Sequence, residues 1–270
     1  MSAPGIAAID REWRRFTPAE RFARFVVYFT VVAAIVVSLE TVEVIPEFVY
    51  DAPAQIGDML RRMWPVAWGF YPDGVQAPLL DSLHIATLGT VLAVVMAVPV
   101  AFLAARNVTP HAGFNYLAKL VLVSARSVNT LIWALFFVAV FGPGALAGTL
   151  AIAFHSIGFT GKLLSEALEE TNRGTIEALH ATGAPWLSVA LQGYWPQVKP
   201  AFWSIVLFRW DINVRESAVL GLVGAGGVGM ALDTALNLFQ WDRVAMILLA
   251  IFAVVIIAEI AVTAIRQRII

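Results

Sequence analysis

The sequence predicts an all-α membrane protein with about six transmembrane helices and with both termini in the cytoplasm. Three observations support this fold class. Of the 270 residues, 60% are hydrophobic and 14% are charged, whereas soluble domains are about 45–50% apolar and about 25% charged. The apolar residues are gathered into segments of roughly 20, the length that crosses a bilayer as a helix. Lysines and arginines fall mostly on one side of these segments, as expected for cytoplasmic loops.

Six segments have the character of a span. They begin, in chain order, near Phe22, Leu83, Leu117, Ala145, Ala201 and Val244. Pro99 predicts a kink in the second segment. The third is predicted to run unbroken to Phe141, the fourth is short and glycine-rich, and the fifth is polar in its middle. If the fourth or fifth did not cross, the protein would have five spans.

Two further helices are indicated before and after the first span. The pattern Thr17-Pro18-Ala19-Glu20 predicts a capping box at a helix start. The stretch DAPAQIGDMLRRMW, from Asp51, is predicted to be a short interfacial helix.

The chain divides into three parts by composition. Residues 1–21 are predicted to be a cytoplasmic segment, and residues 22–80 the first span with an acidic extracytoplasmic segment. Residues 81–268 form the membrane core, with a cytoplasmic loop at about 162–199. With the N-terminus inside, the outside loops hold only Arg61 and Arg62 as basic residues.

Composition also excludes several classes of function. A net charge of -1 gives no indication of nucleic-acid binding, and the absence of cysteine excludes disulfides and thiolate chemistry. The four histidines are scattered, so no metal site and no catalytic residue is predicted.

Charged residues inside the apolar segments are costly and usually face protein or water. In the third span, Arg126 is predicted to share one stripe with Asn129, Thr130 and Trp133. In the fifth, Arg209, Asn213 and Glu216 fall on one face, while Asp211 and Arg215 form an i, i+4 pair on the opposite side. These charges either neutralise one another or line a water-filled anion path, and Arg126 either lines that path or pairs with Glu216. The candidate path residues are Arg126, Asn129, Arg209, Asn213, Arg215, Glu216 and Ser217.

The cytoplasmic loop is predicted to fold as helix, turn and helix, with breaks at Gly174 and at Gly183 with Pro185. It resembles a motif of permease subunits in bacterial ATP-binding-cassette (ABC) importers, written E-A-A, three residues, G, nine residues, I-x-L-P. Here Glu177-Ala178-Leu179 precedes Gly183 at that spacing, and Gly193, Trp195 and Pro196 follow. Leu179, Gly193 and Trp195 depart from the family pattern.

The sequence around this loop carries a closer resemblance. RSVNTLIWALFFVAVFGPGALAG and RWDINVRESAVLGLVGAGGVG look like the permeases of phosphonate or phosphite importers. The resemblance covers about residues 81–268 and is strongest from His155 to Arg243. It implies a type I importer permease fold for this ABC permease core and transport driven by partner ATPases. Coupling to the ATPase would fall to Glu177, Ala178, Leu179, Gly183, Ala184 and Pro196.

The resemblance also implies partners. They are two ATP-binding-cassette ATPases, a second permease copy that forms a homodimer with this one, an extracytoplasmic substrate-binding protein and membrane lipid. ATP and Mg²⁺ would be bound by the ATPases, since the sequence has no Walker A motif, and no cofactor is expected in this chain. The location implied is the bacterial inner membrane, with several spans.

The stretch VLGLVGAGGVGM, from Val219, matches G-x-G-x-x-G at Gly224, Gly226 and Gly229. A dinucleotide site also needs a strand–turn–helix unit, whereas this run follows a membrane span. It is predicted to be a flexible outer gate or re-entrant turn, or a site of tight packing against the second subunit. The candidate gate residues are Gly221, Gly224, Gly226, Gly227 and Gly229.

Three alternatives to this function differ in mechanism. An ion-coupled secondary anion transporter would favour midplane carboxylates and an inverted repeat, and no convincing repeat is present. An ABC permease for another small solute would share the same loop. A membrane-embedded enzyme would need a metal-ligand cluster or a nucleophile–base pair, and neither is evident. Phosphite, methylphosphonate, aminoethylphosphonate and phosphate are all compatible substrates.

Overall fold

The computed structural model describes residues 16–42, 45–109 and 111–269, and every regular element in these ranges is helical. This confirms the all-α fold class. The α-helices in the described ranges are α1 (Pro18–Thr41), α2 (Pro46–Arg62), α3 (Gln76–Ala104), α4 (Ala112–Ser127), α5 (Thr130–Phe141), α6 (Ala145–Glu169), α7 (Arg173–Ala181), α8 (Trp186–Ser188), α9 (Trp195–Leu220), α10 (Val228–Asn237) and α11 (Trp241–Ile269). Short 3₁₀ turns lie at Trp68–Phe70 and Gly221–Val223, and π turns at Tyr71–Val75 and Val189–Tyr194.

The chain forms two compact units, one ending at Asp58 and one beginning at Met59. In the first unit, α1 starts with the predicted capping box. The Thr17 hydroxyl accepts from the Glu20 amide at 3.3 Å, and the Glu20 carboxylate accepts from the Thr17 amide at 2.9 Å. The predicted short helix from Asp51 is the C-terminal part of the longer α2. Its placement at the membrane interface remains a prediction.

The core of the second unit is the packing of α3 against α6, with α4, α5 and α9 around this pair. The contact is close because both helices present small residues. A Cβ added to Gly89 of α3 would lie 2.6 Å from Ile152 Cγ2 of α6, and one added to Gly148 of α6 would lie 3.3 Å from Ile85 Cγ2 of α3. Small residues at helix contacts allow this approach in membrane proteins.

Three helical stretches of the described residues are long and apolar enough to cross a membrane: Pro18–Thr41, Trp68–Ala104 and Trp241–Arg268. The number rises to five if each of two bent helix pairs counts as one span. Six spans are therefore not confirmed. The predicted fourth span, α6, is a helix of 25 residues but is not among these stretches. It is largely buried by protein, including the polar Ser156 and Thr160, so it needs less apolar surface than a lipid-facing helix.

The predicted third span is wrong as a single helix. α4 and α5 meet at an angle of 88°. Asn129 ends the helical path because it adopts an extended backbone and caps α5, with its side chain accepting from the Leu131 amide at 2.9 Å. The expected stripe of Arg126 with Asn129, Thr130 and Trp133 therefore does not form.

This α4–α5 bend is held by two side chains. The Trp133 indole N–H donates to the Ala125 carbonyl at 3.3 Å. His155 Nδ1 lies 2.9 Å from the Val128 carbonyl oxygen. That oxygen can only accept, so Nδ1 carries the proton. Backbone carbonyls freed by the break are thus satisfied by α5 and α6.

The loop at about 162–199 forms the predicted helix and turn, with one correction, and its cytoplasmic placement remains a prediction. α7 begins after Asn172, whose side chain accepts from the Gly174 amide at 2.9 Å. The break therefore precedes Gly174, because asparagine is a strong N-cap and glycine is tolerated in a first turn. The break at Gly183 is confirmed, with a φ of 72°. Beyond it, α8 and a π turn lead into α9.

Candidate functional site

Arg209 lies at the centre of a buried polar network in the second unit. Its side chain is 4% exposed. Its Nε donates to Ser156 Oγ at 2.8 Å, and its terminal nitrogen Nη2 donates to Glu216 Oε2 at 3.2 Å. Thr130 Oγ1 donates to the same Glu216 oxygen at 2.9 Å. Helix α9 is thereby joined to α5 and α6.

A second branch of the network reaches α3. Ser156 Oγ donates to Asn213 Oδ1 at 3.2 Å, and Asn213 Nδ2 donates to Thr90 Oγ1 at 2.7 Å. Thr90 in turn donates to the Ala86 carbonyl at 2.6 Å. Four helices are therefore linked by buried hydrogen bonds with good distances, an arrangement that fixes how they pack.

The predicted common face of Arg209, Asn213 and Glu216 on α9 is confirmed by these contacts. Of the two predicted roles, mutual neutralisation describes Arg209 and Glu216 in this conformation. The Glu216 side chain is 28% exposed, so the network is open on the carboxylate side and closed on the arginine side. Glu216 is therefore the more accessible charge of the pair.

Asp211 and Arg215 pair as predicted on another side of α9, with Arg215 Nη2 donating to Asp211 Oδ2. The Arg215 side chain is 48% exposed and that of Asp211 is 11% exposed. Arg215 borders an apolar groove between α9 and α11, away from the Arg209 network. Ser217 is buried, and its hydroxyl donates to the Val214 carbonyl at 2.8 Å, so its side chain is occupied within α9.

Arg126 lies exposed at the end of α4. Among the described residues it has no ion-pair partner, and the predicted alternative pairing with Glu216 is not formed, because Arg209 and Thr130 occupy that carboxylate. Its backbone is pressed against α6, where a Cβ on Gly158 would lie 2.7 Å from the Arg126 amide nitrogen. Asn129 is exposed as well, but its side chain caps α5. Arg126 is thus an accessible cation on a fixed backbone.

The glycine run between α9 and α10 is a tightly packed turn within this chain. A Cβ on Gly226 would lie 2.7 Å from the Ala145 amide nitrogen, and one on Gly227 would lie 2.4 Å from Ser82 Oγ. Both residues have positive φ, 83° and 76°, which favours glycine. Gly221 and Gly229 approach each other so closely that a Cβ on the first would lie 2.5 Å from the second Cα.

Hydrogen bonds fix the same turn to its neighbours. The Val228 amide donates to Ser82 Oγ at 2.8 Å, and the Gly144 amide donates to the Gly224 carbonyl at 2.9 Å. The run is flanked by helices and not by a strand, so it lacks the strand–turn–helix unit that a dinucleotide site needs. Its use as a gate remains a prediction, and the observed packing is against α3 and α6 of the same chain.

The α7 segment, residues 172–184, presents the predicted coupling residues at the surface. Glu177, Ala178 and Gly183 are exposed, as is Pro196 at the start of α9, while Leu179 and Ala184 are half-buried. The turn is closed by hydrogen bonds from the Gly183 amide to the His180 carbonyl at 3.0 Å and from the Ala184 amide to the Leu179 carbonyl at 3.4 Å.

Two departures from the family motif compensate each other. A Cβ added to Gly193 would lie 2.9 Å from Leu179 Cδ1 and 2.7 Å from Ile176 Cδ1. The motif has alanine at the position of Leu179 and isoleucine at that of Gly193. The larger residue at one position therefore fills the space left by the smaller residue at the other.

The α7 segment is firmly attached to the membrane helices. Ile176 is buried in a cluster with Leu168 of α6 and Val198 of α9. The Tyr194 hydroxyl donates to the Asn107 carbonyl at 3.1 Å, and Asn107 Nδ2 donates to the Leu168 carbonyl at 2.7 Å. Ile176 thus places α7 in one buried cluster with residues of α3, α6 and α9, and the Tyr194–Asn107–Leu168 hydrogen bonds join the turn before α9 to the turn after α3 and to α6.

Sequence reasoning missed Ser156, Thr90, Asn107 and Tyr194. Ser156 and Thr90 lie in apolar segments, and their network contacts are 53 or more residues away along the chain. The pair Asn107 and Tyr194 is separated by 87 residues. No local pattern signals such contacts. Within the described residues, no group of three or more histidine, aspartate or glutamate residues is placed to hold a metal ion.

Comparison with known proteins gives consistent matches. The family described as "Binding-protein-dependent transport system inner membrane component" matches residues 97–270. The chain is 43% identical over 182 residues to the phosphite transport system permease protein PtxC of Stutzerimonas stutzeri, covering 67% of this chain and 66% of the relative. It is 38% identical over 234 residues to the phosphate-import permease protein PhnE of Mycolicibacterium smegmatis, covering 87% of this chain but 44% of that relative.

A solved structure shares the fold. An inward-facing structure of the MetNI methionine ABC transporter superposes with a TM-score of 0.63 at 19% identity. The match covers 73% of this chain and 96% of the other. The shared region is thus nearly the whole of that membrane subunit.

Proposed function

Because the chain belongs to the family of binding-protein-dependent transport system inner membrane components, we propose that it is the permease subunit of an ATP-driven ABC importer for a phosphonate- or phosphite-type oxyanion. The observation that carries this proposal is the likeness to relatives named for phosphite and phosphate transport. The family match at residues 97–270 includes α7 and every member of the Arg209 network except Thr90. The permease forms the path, and ATP hydrolysis takes place on partner subunits.

The charges on the proposed path suit a substrate that must be released as well as bound. A path that holds an anion too strongly traps it. Arg209 is already neutralised by Glu216 at 3.2 Å, so it offers little net attraction in this conformation. Arg126 is exposed beside the α4–α5 bend and supplies the accessible positive charge. A rearrangement that separated Arg209 from Glu216 would expose a second cation deeper in the protein.

Coupling to the ATPases is assigned to the α7 segment. Two ATPase subunits, each binding ATP and Mg²⁺, dock on the exposed surface that holds Glu177, Ala178 and Gly183. The half-buried Leu179 and Ala184 lie behind that surface, and Pro196 is exposed at the start of α9. Opening and closing of the ATPase dimer then moves α7, and the permease exchanges inward-facing and outward-facing states.

The remaining parts of the assembly follow from the same proposal. A second permease copy completes the path, and an extracytoplasmic binding protein delivers the anion. The chain lies in the bacterial inner membrane with both termini in the cytoplasm. The glycine turn at 221–229 acts at the outer end of the path, where its close packing against α3 and α6 makes it respond to their movement. The family match favours this mechanism over a secondary transporter or a membrane enzyme.

The test is ATP hydrolysis by the chain reconstituted in lipid with its ATPase and binding protein. Phosphite, methylphosphonate, aminoethylphosphonate and phosphate are compared, with sulfate as a tetrahedral control. Stimulation by one of the four above the sulfate level is the expected result. An intact complex that none of them stimulates would exclude the substrate class. Failure of the chain to form a complex with the ATPase would contradict the importer function itself.

A further inference from the structure

An apolar ridge follows α7 on the way to α9, formed by Trp186, Leu187 and Leu191. These three side chains are 56%, 61% and 57% exposed. We propose that this ridge inserts among the acyl chains at the edge of the bilayer and anchors the α7 segment in the membrane. The partner of the ridge is phospholipid, and the anchor gives α7 a second attachment besides its contacts with α3, α6 and α9.

The ridge forms one wall of an apolar groove of about 430 Å³. The other wall is the end of α3 and the turn after it, with Pro99, Phe102, Leu103 and Val108. Thr109 and the indole N–H of Trp186 are the polar groups of this lining, and the Thr109 hydroxyl donates to the Leu103 carbonyl at 2.7 Å. Apart from that indole N–H, which suits the polar edge of a bilayer, the groove offers no free hydrogen-bond donor to a polar partner, which fits an acyl chain.

The groove is continuous with the lipid-facing side of a span. Helix α3 belongs to the stretch Trp68–Ala104, which is long and apolar enough to cross a membrane. Its exposed apolar residues Leu88, Leu92, Val95 and Leu103 fall on one face at 100° per residue, together with Pro99. This face ends at the ridge. Lipid that covers α3 would meet Trp186 and Leu191 with no polar surface in between.

The two sides of the loop differ in polarity. The exposed surface of α7 is polar or small, with Arg173, Glu177, His180 and Thr182, and this is the side proposed for the ATPase. The ridge is apolar, and behind it Val189 and Tyr194 are buried. Such a division into one apolar and one polar side is typical of segments that lie in the membrane interface. Tryptophan is enriched at the same depth.

The test uses site-directed nitroxide labels, because the chain contains no cysteine. Leu187→Cys and Leu191→Cys are labelled in lipid nanodiscs, and collision rates with oxygen and with a polar nickel chelate are measured. Thr182→Cys on the polar side is the aqueous control, and Leu92→Cys on α3 is the lipid control. Both ridge labels are expected to match Leu92→Cys, with an oxygen-to-nickel ratio severalfold above that of Thr182→Cys.

Two results would overturn the proposal. Ratios at Leu187 and Leu191 equal to that at Thr182 would place the ridge in water. If adding the ATPase lowered the collision rates of the ridge labels with both reagents, the ridge would be an ATPase contact. Two separate ridge positions guard against a local distortion by one label. The measurement involves no transport, so it is independent of the substrate class proposed above.

Discussion

The Arg209 network and the α7 segment both depend on polar side chains, but they expose them to opposite extents. In the network, Arg209 and Asn213 are buried and hydrogen-bonded to two other helices, α6 and α3. In α7, Glu177 and His180 are exposed and only Ile176 is buried. Substitutions in the network should therefore unfold or loosen the helix bundle. Substitutions on α7 should leave the fold intact and change what it contacts.

The largest loss of stability is expected for Arg209→Ala. It leaves Glu216 without its positive partner and Ser156 without a donor, and breaking a buried ion pair costs about 3–5 kcal/mol. Arg126→Ala is the matched control, because that arginine is exposed and its loss should change stability by less than about 0.5 kcal/mol. Thermal unfolding in detergent, followed by circular dichroism, measures the difference.

A double variant separates charge from packing in this comparison. Arg209→Met with Glu216→Leu removes both charges and keeps most of the volume, so it should recover much of the lost stability. If it is as unstable as Arg209→Ala, the hydrogen bonds made by the charged pair, and not an unpaired charge or lost volume, account for the stability that the network provides.

A smaller loss of stability is expected for substitutions where α7 meets the π turn at Val189–Tyr194. Gly193→Ile places side-chain atoms against Leu179 and Ile176, and overpacking of this kind costs about 1–3 kcal/mol. Adding Leu179→Ala frees part of that space, so the double variant should be more stable than Gly193→Ile alone. Strictly additive losses in the same unfolding measurement would show that the two positions do not compensate each other.

The α7 turn itself should tolerate change while losing its function. Gly183 has a φ of 72°, and no atom lies within 4 Å of an added Cβ. Aspartate enters this left-handed region more readily than most residues, so Gly183→Asp should cost about 1 kcal/mol. Transport in proteoliposomes should be lost while ATP hydrolysis continues. Gly183→Ala carries the backbone strain without the charge, and normal transport by Gly183→Asp would contradict the coupling role.

The smallest effect on stability, but a clear one on transport, is expected for Arg126→Ala. Substrate flux should fall because an accessible positive charge is removed, whereas Arg126→Lys should keep most of the flux. Initial uptake of radiolabelled anion measures both. Loss of the assembled complex in Arg126→Ala would instead assign this residue a structural role.

The sequence predicts contacts within a helix better than contacts between helices. The period of 3.6 residues places Arg209, Asn213 and Glu216 on one face, and the pair Asp211–Arg215 follows from their spacing. Ser156 and Thr90 could not be found this way, because their partners come together only when α3, α6 and α9 pack. Family spacing located α7, but only the structure shows that Leu179 and Gly193 compensate each other.

The error at Asn129 has a specific physical origin. The apolar segment from near Leu117 to Phe141 predicts one continuous helix with its polar residues in a single stripe. Asn129 instead acts as a cap, a role that asparagine takes readily. The bend is stabilised by the hydrogen bond that the Asn129 side chain accepts and by the contacts of Trp133 and His155 with backbone carbonyls. An apolar sequence pattern does not reveal these contacts.

The bend between α4 and α5 has a consequence for the order in which the protein is made. A straight helix through residues 112–141 satisfies its own backbone, as lipid requires. The bent form needs His155, which belongs to α6 and is synthesised later. The contact between His155 and the Val128 carbonyl can therefore form only after α6 has been synthesised. The bend acquires its last hydrogen bond from a helix that follows it in the chain.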